Sequence, residues 1–279
     1  MFVVLRTDET PSGFINKYRQ KKKLKHSQPE SVATESGLPF FMLDIPPQPN
    51  ERDWLKIEAK CEKYASKVVA SRKLKIPDSP VITRFLPSFI PSVTVFNTAV
   101  EILSKASLDP HKITVTLTDR NAVHVSRMMK LLPFSSTLKI VTSREEKYEP
   151  VVQKAFDEFG AAPIIRHTYT PCSGKEIVIC TDSAATHFMN QAAVFGYKNV
   201  KSGKISFCGS GIELSDFHSK IIPQDIDTVD FADAVTRLCI SGEYKNSSFS
   251  AVTCSCSRCE NTSAENCLRC YCEDTVTKL

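Results

Sequence analysis

Two short runs, Ile113-Thr-Val-Thr-Leu-Thr-Asp119 and Leu138-Lys-Ile-Val-Thr142, are rich in apolar and β-branched residues, and a helical pattern follows each of them. Between the runs, apolar residues recur at spacings of three, four and seven over residues 122–132. That periodicity predicts a helix with one buried face. A strand–helix–strand–helix order is typical of a parallel, Rossmann-like sheet.

The second helix of this stretch has sequence signals at both ends. Ser143, followed three residues later by Glu146, matches a capping box, so we expect the Ser143 side chain to cap the helix. Gly160 stands where the helical pattern stops, and a glycine at that place predicts the helix C-terminus.

Three further strands are expected in the second half of the chain, over residues 163–167, 176–180 and 204–208. A helix is expected from Ser183 to about Phe195, and a final helix is expected to begin at Asp227. Strands that alternate with helices in this way predict an α/β fold. We expect one Rossmann-like, doubly wound and mainly parallel sheet of five strands.

The flanking segments carry weaker signals. Residues 1–52 are expected to form an irregular lead-in, because they are largely polar, basic or proline-rich. Residues 53–241 are expected to form the Rossmann-like domain, with a helical preface over 53–106 and a sheet core over 113–241. The preface is expected to hold two helices, over about residues 52–70 and 91–103. From residue 242 the regular pattern stops, and residues 242–279 form a cysteine-rich tail.

Composition limits the class of protein. The 279 residues are 42% hydrophobic and 24% charged, which is ordinary for a soluble globular protein. No apolar run approaches the ~20 residues that span a bilayer, and the first residues do not form a secretory signal. We therefore expect a cytoplasmic protein with no membrane partner, whose eleven cysteines are mostly reduced or metal-bound.

The net charge of +5 is concentrated near the N-terminus. Residues 1–30 contain seven Lys or Arg and three Asp or Glu, so they contribute +4 (7 − 3) of it. A nucleic-acid partner would therefore rest on one basic segment, residues 17–26, with Tyr18 available to stack on a base. The alternative is a solvated run of charge in a flexible arm. The sequence does not indicate an oligomeric state.

Polar residues follow the expected strands at the edge where open parallel sheets bind ligands. The candidates for contact with a small metabolite or nucleotide are Asp119, Arg120, Asn121, Ser143, Arg144, Asp182, Gly209, Ser210 and Gly211. Glycine-rich turns can cradle an anion, but they are also common after strands for steric reasons alone. The alternative for the other positions is that the aspartates cap helices and the cations are solvated.

NAD(P) is not among the cofactors we expect. In a dinucleotide site, glycines after the first strand let backbone amides and a helix N-terminus approach the pyrophosphate. Here that turn reads Asp119-Arg120-Asn121-Ala122, which has no glycine and places a carboxylate where phosphate charge would lie. Arg144 would suit a ribose 2′-phosphate, but it stands without the glycine loop.

The most specific pattern lies in the cysteine-rich tail. Its spacing is C-x-C-x2-C-x7-C-x2-C-x-C, formed by Cys254, Cys256, Cys259, Cys267, Cys270 and Cys272. The two C-x2-C pairs can supply four thiolates to one tetrahedral Zn²⁺, and all six cysteines can hold two metals through bridging sulfurs. We therefore expect a structural zinc. The alternatives are disulfides or redox use of the thiols, and a thiol-rich tail without a role.

These features predict a small-molecule-binding Rossmann-like protein with a structural zinc in its tail. Two other functions stay open: a nucleic-acid-associated protein that uses the basic segment and a zinc knuckle, and a thiol-dependent redox or metal-handling protein. The sequence contains no P-loop, no Gly-x-Ser-x-Gly elbow and no His-Glu-x-x-His motif. Whether the protein is an enzyme is therefore left open by its sequence.

Overall fold

The described part of the chain divides into two units, each organised around its own sheet. The computed structural model describes residues 1–7, 24–34, 39–182, 192–197, 203–214, 216–238, 253–256 and 262–273. The first unit is drawn from residues 1–87 and 213–245, and the second is drawn from residues 88–212 and 246–279. The chain thus passes from the first unit into the second, returns to the first, and ends in the second.

The elements are numbered in chain order. The strands are β1 (Val3–Thr7), β2 (Glu30–Ala33), β3 (Pro39–Ile45), β4 (Lys67–Ala70), β5 (Thr83–Arg84), β6 (Ile113–Thr118), β7 (Thr137–Val141), β8 (Ile164–Arg166), β9 (Lys175–Cys180), β10 (Ala193–Tyr197), β11 (Ile205–Ser210) and β12 (Thr253–Cys256). The α-helices are α1 (Glu51–Cys61), α2 (Phe89–Ala106), α3 (Glu145–Phe159), α4 (Asp216–Ile221), α5 (Thr228–Leu238) and α6 (Ala264–Cys272). The 3-10 helices are Pro110–Lys112 and Val125–Phe134.

The first unit is a mainly parallel sheet with helices on both faces. Its strand order is β2-β3-β1-β4-β5, and only β2 pairs antiparallel with its neighbour. Successive side chains of a strand point to opposite faces of the sheet. Leu5 of β1 therefore lies in one apolar cluster with Ile57 of α1. Val4 lies in a second apolar cluster with Phe231 of α5.

The described parts of the first fifty residues contain more regular structure than we expected. In place of an irregular lead-in, they supply β1, β2 and β3, and β1 lies at the centre of the first sheet. β1 is only five residues long and a polar segment separates it from its partner β3, so local periodicity carries little signal. The helix expected over residues 52–70 is also shorter. It ends at Cys61, and the β-branched Val68 and Val69 belong to β4.

The second unit contains a seven-stranded sheet in the order β12-β11-β10-β9-β6-β7-β8. Every neighbouring pair is parallel except β11 and β12. The five strands that the sequence predicts correspond to β6, β7, β8, β9 and β11. The expected strand count was too low, because β10 lies where a helix was expected and β12 lies in the cysteine-rich tail. The other part of that expected helix, residues 183–191, is outside the described residues.

One face of the second sheet packs on α2 and α6. The strands contribute Leu117, Ile140 and Ile179 to this cluster, and α2 contributes Phe96. Tyr271 of α6 is 1% exposed in the same cluster, so the described part of the cysteine-rich tail is built into the unit. A parallel sheet needs apolar cover, and α6 supplies part of it here.

Two helix starts differ from the sequence expectation. The helix expected from residue 122 is a 3-10 helix, Val125–Phe134. Ser143 does not cap α3, because its hydroxyl donates to the carbonyl oxygen of Arg120 at 2.8 Å and the N-cap position falls on Arg144. The predicted C-terminus is confirmed, since Gly160 ends α3 with a φ of 63°.

The last helix of the expected sheet core, α5, belongs instead to the first unit. Its predicted cap is confirmed, because Asp227 Oδ1 accepts a hydrogen bond from the amide of Val229 at 3.0 Å. Among the described helices, none is long and apolar enough to cross a membrane.

Candidate functional site

The strand order of the second unit reverses at β6. From β6 the chain forms β7 and β8 on one side, and it then forms β9 on the other side. β6 and β9 are therefore direct neighbours, with Thr118 opposite Cys180. In an open parallel sheet, ligands bind outside the carboxyl ends of two such strands, in the crevice that the reversal opens. Asp119 and Asp182, which follow these strands, meet at this edge.

Asp119 is a structural carboxylate rather than an exposed ligand-binding group. It is 1% exposed. Its Oδ1 accepts from the amide of Val123 at 2.9 Å, and its Oδ2 accepts from the amide of His124 at 2.7 Å. The hydroxyl of Tyr148 donates to Oδ2 at 2.5 Å. Burial and the Asp119 charge raise the pKa of Tyr148 well above its usual range, so this hydroxyl stays a donor.

Asp182 has a different environment at the same edge. It is partly exposed, and its Oδ2 accepts from the amide of Arg120 at 2.8 Å. Within the described residues, its Oδ1 accepts no hydrogen bond. Burial raises the pKa of the Asp182 carboxyl and the Asp119 charge adds to this, while the Arg120 amide opposes it. Of the two aspartates, Asp182 is therefore the partly exposed one, with one oxygen atom that accepts from no described group.

The turn after β7 is joined to the turn after β6. The amide and hydroxyl of Ser143 both donate to the carbonyl oxygen of Arg120, at 3.3 and 2.8 Å. Arg120, Asn121, Ser143 and Arg144 are all exposed. Together with Asp182 they form one polar edge that carries two guanidinium groups and one partly exposed carboxylate.

The glycine turn after β11 does not join this edge. Gly209 and Ser210 are paired with β12, and Gly211 follows them with a φ of 75°. β11 is separated from β9 by β10, which places it roughly 10 Å away at the usual strand spacing. The expected ligand-contacting residues that follow β6, β7 and β9 therefore lie together at one edge of the sheet. Gly209–Gly211 lie away from them.

A buried serine–histidine pair lies beneath the edge. Ser92 Oγ and His124 Nε2 are 2.7 Å apart, and the His124 ring stacks on Phe96 with 4.7 Å between the ring centres. Burial lowers the pKa of His124 to about 4; the Arg127 charge lowers it too, and the Asp119 charge opposes both. The Asp119 carboxylate contacts the backbone of His124 rather than its ring, so the three residues do not form a catalytic triad.

Five of the six tail cysteines lie in two described elements, β12 and α6, and the sixth lies outside the described residues. Cys254 and Cys256 lie in β12, opposite Gly209 and Phe207 of β11. Cys259 lies outside the described residues. Cys267, Cys270 and Cys272 lie in α6, and Cys267 is fully buried in the apolar cluster of the second unit. Among the described side chains, no group of three or more His, Cys, Asp or Glu could hold a metal ion.

Sequence reasoning missed the residues that support the edge from below. Tyr148 lies at a position of α3 that reads as a core aromatic, and Ser92 reads as one more residue of an apolar helix. Only the tertiary structure brings Tyr148 to Asp119 and Ser92 to His124.

Most of the basic segment that was expected to bind nucleic acid, residues 17–23, lies outside the described residues. Neither a scan of protein-family models nor a search of curated proteins finds a match to this chain.

Proposed function

We propose that the protein binds a small metabolite or nucleotide at the carboxyl ends of β6 and β9, and that its tail cysteines hold a structural zinc ion. The observation that carries the first part is the reversal of strand order at β6, with Asp182 presenting an oxygen atom at that point.

The strand order supports a Rossmann-like assignment. Numbered from β6 within the second unit, the six parallel strands lie in the order 3-2-1-4-5-6. Doubly wound nucleotide-binding sheets use this order, and their ligands lie between strands 1 and 4. β6 and β9 hold these two positions. The seventh strand, β12, adds to the outer edge and leaves the crevice unchanged.

The chemistry of the edge suits a ligand with an anionic group and a hydroxyl or amino group. Arg120 and Arg144 are exposed cations that can pair with a phosphate or carboxylate. Asp182 Oδ1 can accept a hydrogen bond from a ligand hydroxyl or amine. Ser143 keeps the two turns together through Arg120, so it positions the cations rather than binding by itself.

The environment of Asp119 supports the expectation that NAD(P) is not the ligand. In a dinucleotide site, the amides at the start of the first helix face the pyrophosphate. Here the amides of Val123 and His124 already donate to the Asp119 carboxylate. A pyrophosphate would have to displace a buried carboxylate that bears the same sign of charge. We expect a ligand that lies nearer to Asp182 and Arg120.

A thermal-shift screen of metabolites and nucleotides tests the ligand site. A ligand present at 100 times its Kd should stabilise the protein by about 2.7 kcal/mol and raise Tm by several degrees. Asp182→Asn should weaken binding by roughly 10-fold to 100-fold, because one hydrogen bond to a charged acceptor is lost. Asn can still accept from the Arg120 amide, so the fold should be kept.

Asp157→Asn is the matched control for the ligand site. Asp157 is an exposed carboxylate near the far end of α3, bonded to Gln153 in its own helix. This variant should bind the ligand as the wild type does. A ligand whose thermal shift survives both Asp182→Asn and Arg120→Ala binds elsewhere, and that result would reject the proposed site.

The spacing of the cysteines in α6 suits a zinc ion for one pair of thiols only. Cys267 and Cys270 are three residues apart in α6, so they lie on one side of the helix. Cys272 is two residues beyond Cys270 and faces another direction. Zinc, if bound, would supply a tetrahedral crosslink with thiolates as ligands. Cys267 is fully buried in the apolar cluster, so the described helix supports the second C-x2-C pair only through its spacing, and the first pair depends on Cys259.

Elemental mass spectrometry of anaerobically purified protein tests the zinc. We expect one or two zinc ions per chain, lost when Cys256 and Cys259 are both changed to serine, because a structural site rarely keeps zinc with two ligands missing. Cys172→Ser, which changes a thiol outside the tail, should retain the metal. A metal-free wild type whose tail thiols oxidise reversibly would instead favour the redox alternative.

A further inference from the structure

A lysine and a cysteine approach each other closely on the other face of the second sheet. Lys139 lies in the middle of β7, and Cys172 lies in the loop between β8 and β9. Lys139 Nζ is 2.9 Å from Cys172 Sγ and 3.2 Å from the carbonyl oxygen of Thr170. A sulfur atom is larger than an oxygen atom, yet this contact is as short as an ordinary N–H···O hydrogen bond.

A buried carboxylate holds the loop that carries the thiol. Glu176 is 3% exposed, and its Oε1 accepts from the hydroxyl of Thr116 at 2.6 Å. Its Oε2 accepts from the hydroxyl of Tyr169 at 2.7 Å and from the amide of Cys172 at 3.3 Å. The loop is thus fixed on both sides of Thr170, and the sulfur atom is held against the lysine. Such preorganisation lowers the entropic barrier to a reaction between the two side chains.

Two described thiols, those of Cys61 and Cys180, have a different environment. Burial raises the pKa of Cys61 to about 12 and the pKa of Cys180 to about 11, which makes both thiols poor nucleophiles at neutral pH. Cys172 is only half-buried and faces an amino group. A small oxidant can therefore reach this position, where a nitrogen and a sulfur atom already lie at contact distance.

We propose that Lys139 and Cys172 are a redox modification site, at which dioxygen joins the two side chains through a single bridging oxygen atom. The balanced step is Lys–NH2 + HS–Cys + O2 → Lys–NH–O–S–Cys + H2O. One N–H bond, the S–H bond and the O–O bond break, and one N–O bond, one O–S bond and the two O–H bonds of water form. Nitrogen and sulfur each lose two electrons, and each oxygen atom gains two.

The bridge would fasten β7 to the loop before β9. Because β6 lies between β7 and β9, the link would span the three strands whose carboxyl ends form the candidate ligand edge. Four reducing equivalents, supplied by the oxidation of two dithiol molecules to disulfides, return the amine, the thiol and one molecule of water. The site therefore forms a reversible covalent lock on this part of the sheet, and it does not depend on the proposed ligand or zinc.

Peptide mass spectrometry of the full chain tests the bridge. Protein kept in air-saturated buffer should yield a crosslinked pair of peptides containing Lys139 and Cys172. Its mass should exceed the sum of the two peptides by one oxygen atom less two hydrogen atoms. Protein kept anaerobically with a dithiol should yield the two peptides separately, and a dithiol added after exposure to air should separate them again.

Variants decide whether the link is specific. Lys139→Arg keeps the positive charge and the packing but should form no link, and Cys172→Ser should form none either. Lys130→Met, at an exposed lysine of the Val125–Phe134 helix, should link as the wild type does. A link without the added oxygen, oxidation of Cys172 alone, or an unchanged thiol after prolonged exposure to air would each overturn the proposal.

Discussion

Replacement of Asp119 by alanine should lower the free energy of unfolding by roughly 3–5 kcal/mol, the usual range when one partner is removed from a buried, hydrogen-bonded charge. The variant leaves the amides of Val123 and His124 and the hydroxyl of Tyr148 without their acceptor. All three donors lie in or beside the turn that leaves β6. Urea denaturation followed by far-ultraviolet circular dichroism measures the change.

Two further variants test whether the loss of stability in Asp119→Ala comes from the hydrogen bonds of this carboxylate or from the removal of any carboxylate. Tyr148→Phe removes one of the three donors and should cost about 1–2 kcal/mol, since the carboxylate keeps its two amides. Asp157→Asn changes an exposed carboxylate and should stay within about 0.5 kcal/mol of the wild type. If Asp119→Ala is as stable as the wild type, Asp119 does not brace the turn and belongs with the ligand-binding groups.

The strands with a local signal were predictable from the sequence. β6 and β9 are runs of β-branched and apolar residues bounded by polar turns, and such runs predict strands without any knowledge of the fold. β10 is apolar but has only one β-branched residue, Val194, in its five positions, and the helical pattern before it hid its start. β12 is short and pairs with a distant partner, so local periodicity does not reveal it. The central position of β1 depends on its distant partner β3, and local periodicity does not reveal that pairing either.

The candidate site could be predicted only as a set of strand ends. The sequence places Asp119, Ser143 and Asp182 after strands, and it cannot say which strands are neighbours. The observed order puts β6 beside both β7 and β9, and this joins the three positions. The same order separates Gly209, which was expected in the set. The different roles of the two aspartates depend on Tyr148 and Arg120, and those contacts exist only in the folded chain.

Acidification from about pH 7 to about pH 4 should remove roughly 3 kcal/mol of the stability that His124 contributes, because each unit between the two pKa values is worth 1.36 kcal/mol. Burial lowers the pKa of the folded-state imidazole to about 4, whereas an imidazole in the unfolded chain titrates near 6.5. As the pH falls, the unfolded chain therefore takes up the proton first. The contribution is complete above about pH 6.5 and is lost as the pH falls to about 4.

The hydrogen bonds of His124 give a physical reason for the neutral form. An imidazole that carries its proton on Nε2 can donate to Ser92 Oγ, and its bare Nδ1 is then an acceptor. Nδ1 is buried and meets no hydrogen-bond partner in the described part of the chain. Protonation would place an N–H group at that position with nothing to accept from it, and the Arg127 charge would oppose it further.

The comparison of the wild type with His124→Gln isolates this contribution, because other groups titrate in the same range. The raised pKa of Asp182 acts with the opposite sign: the folded state holds that proton more tightly, so Asp182 favours folding as the pH falls. Both proteins contain Asp182, so its effect cancels in the difference between their unfolding free energies. That difference should shrink from about pH 7 to about pH 4 as the wild type loses the His124 term. A difference that stays constant would mean that His124 has the same pKa in the folded and unfolded chains, and a difference that grows as the pH falls would mean that His124 is charged in the folded state with Asp119 as its ionic partner. Either result would reject a buried, neutral His124.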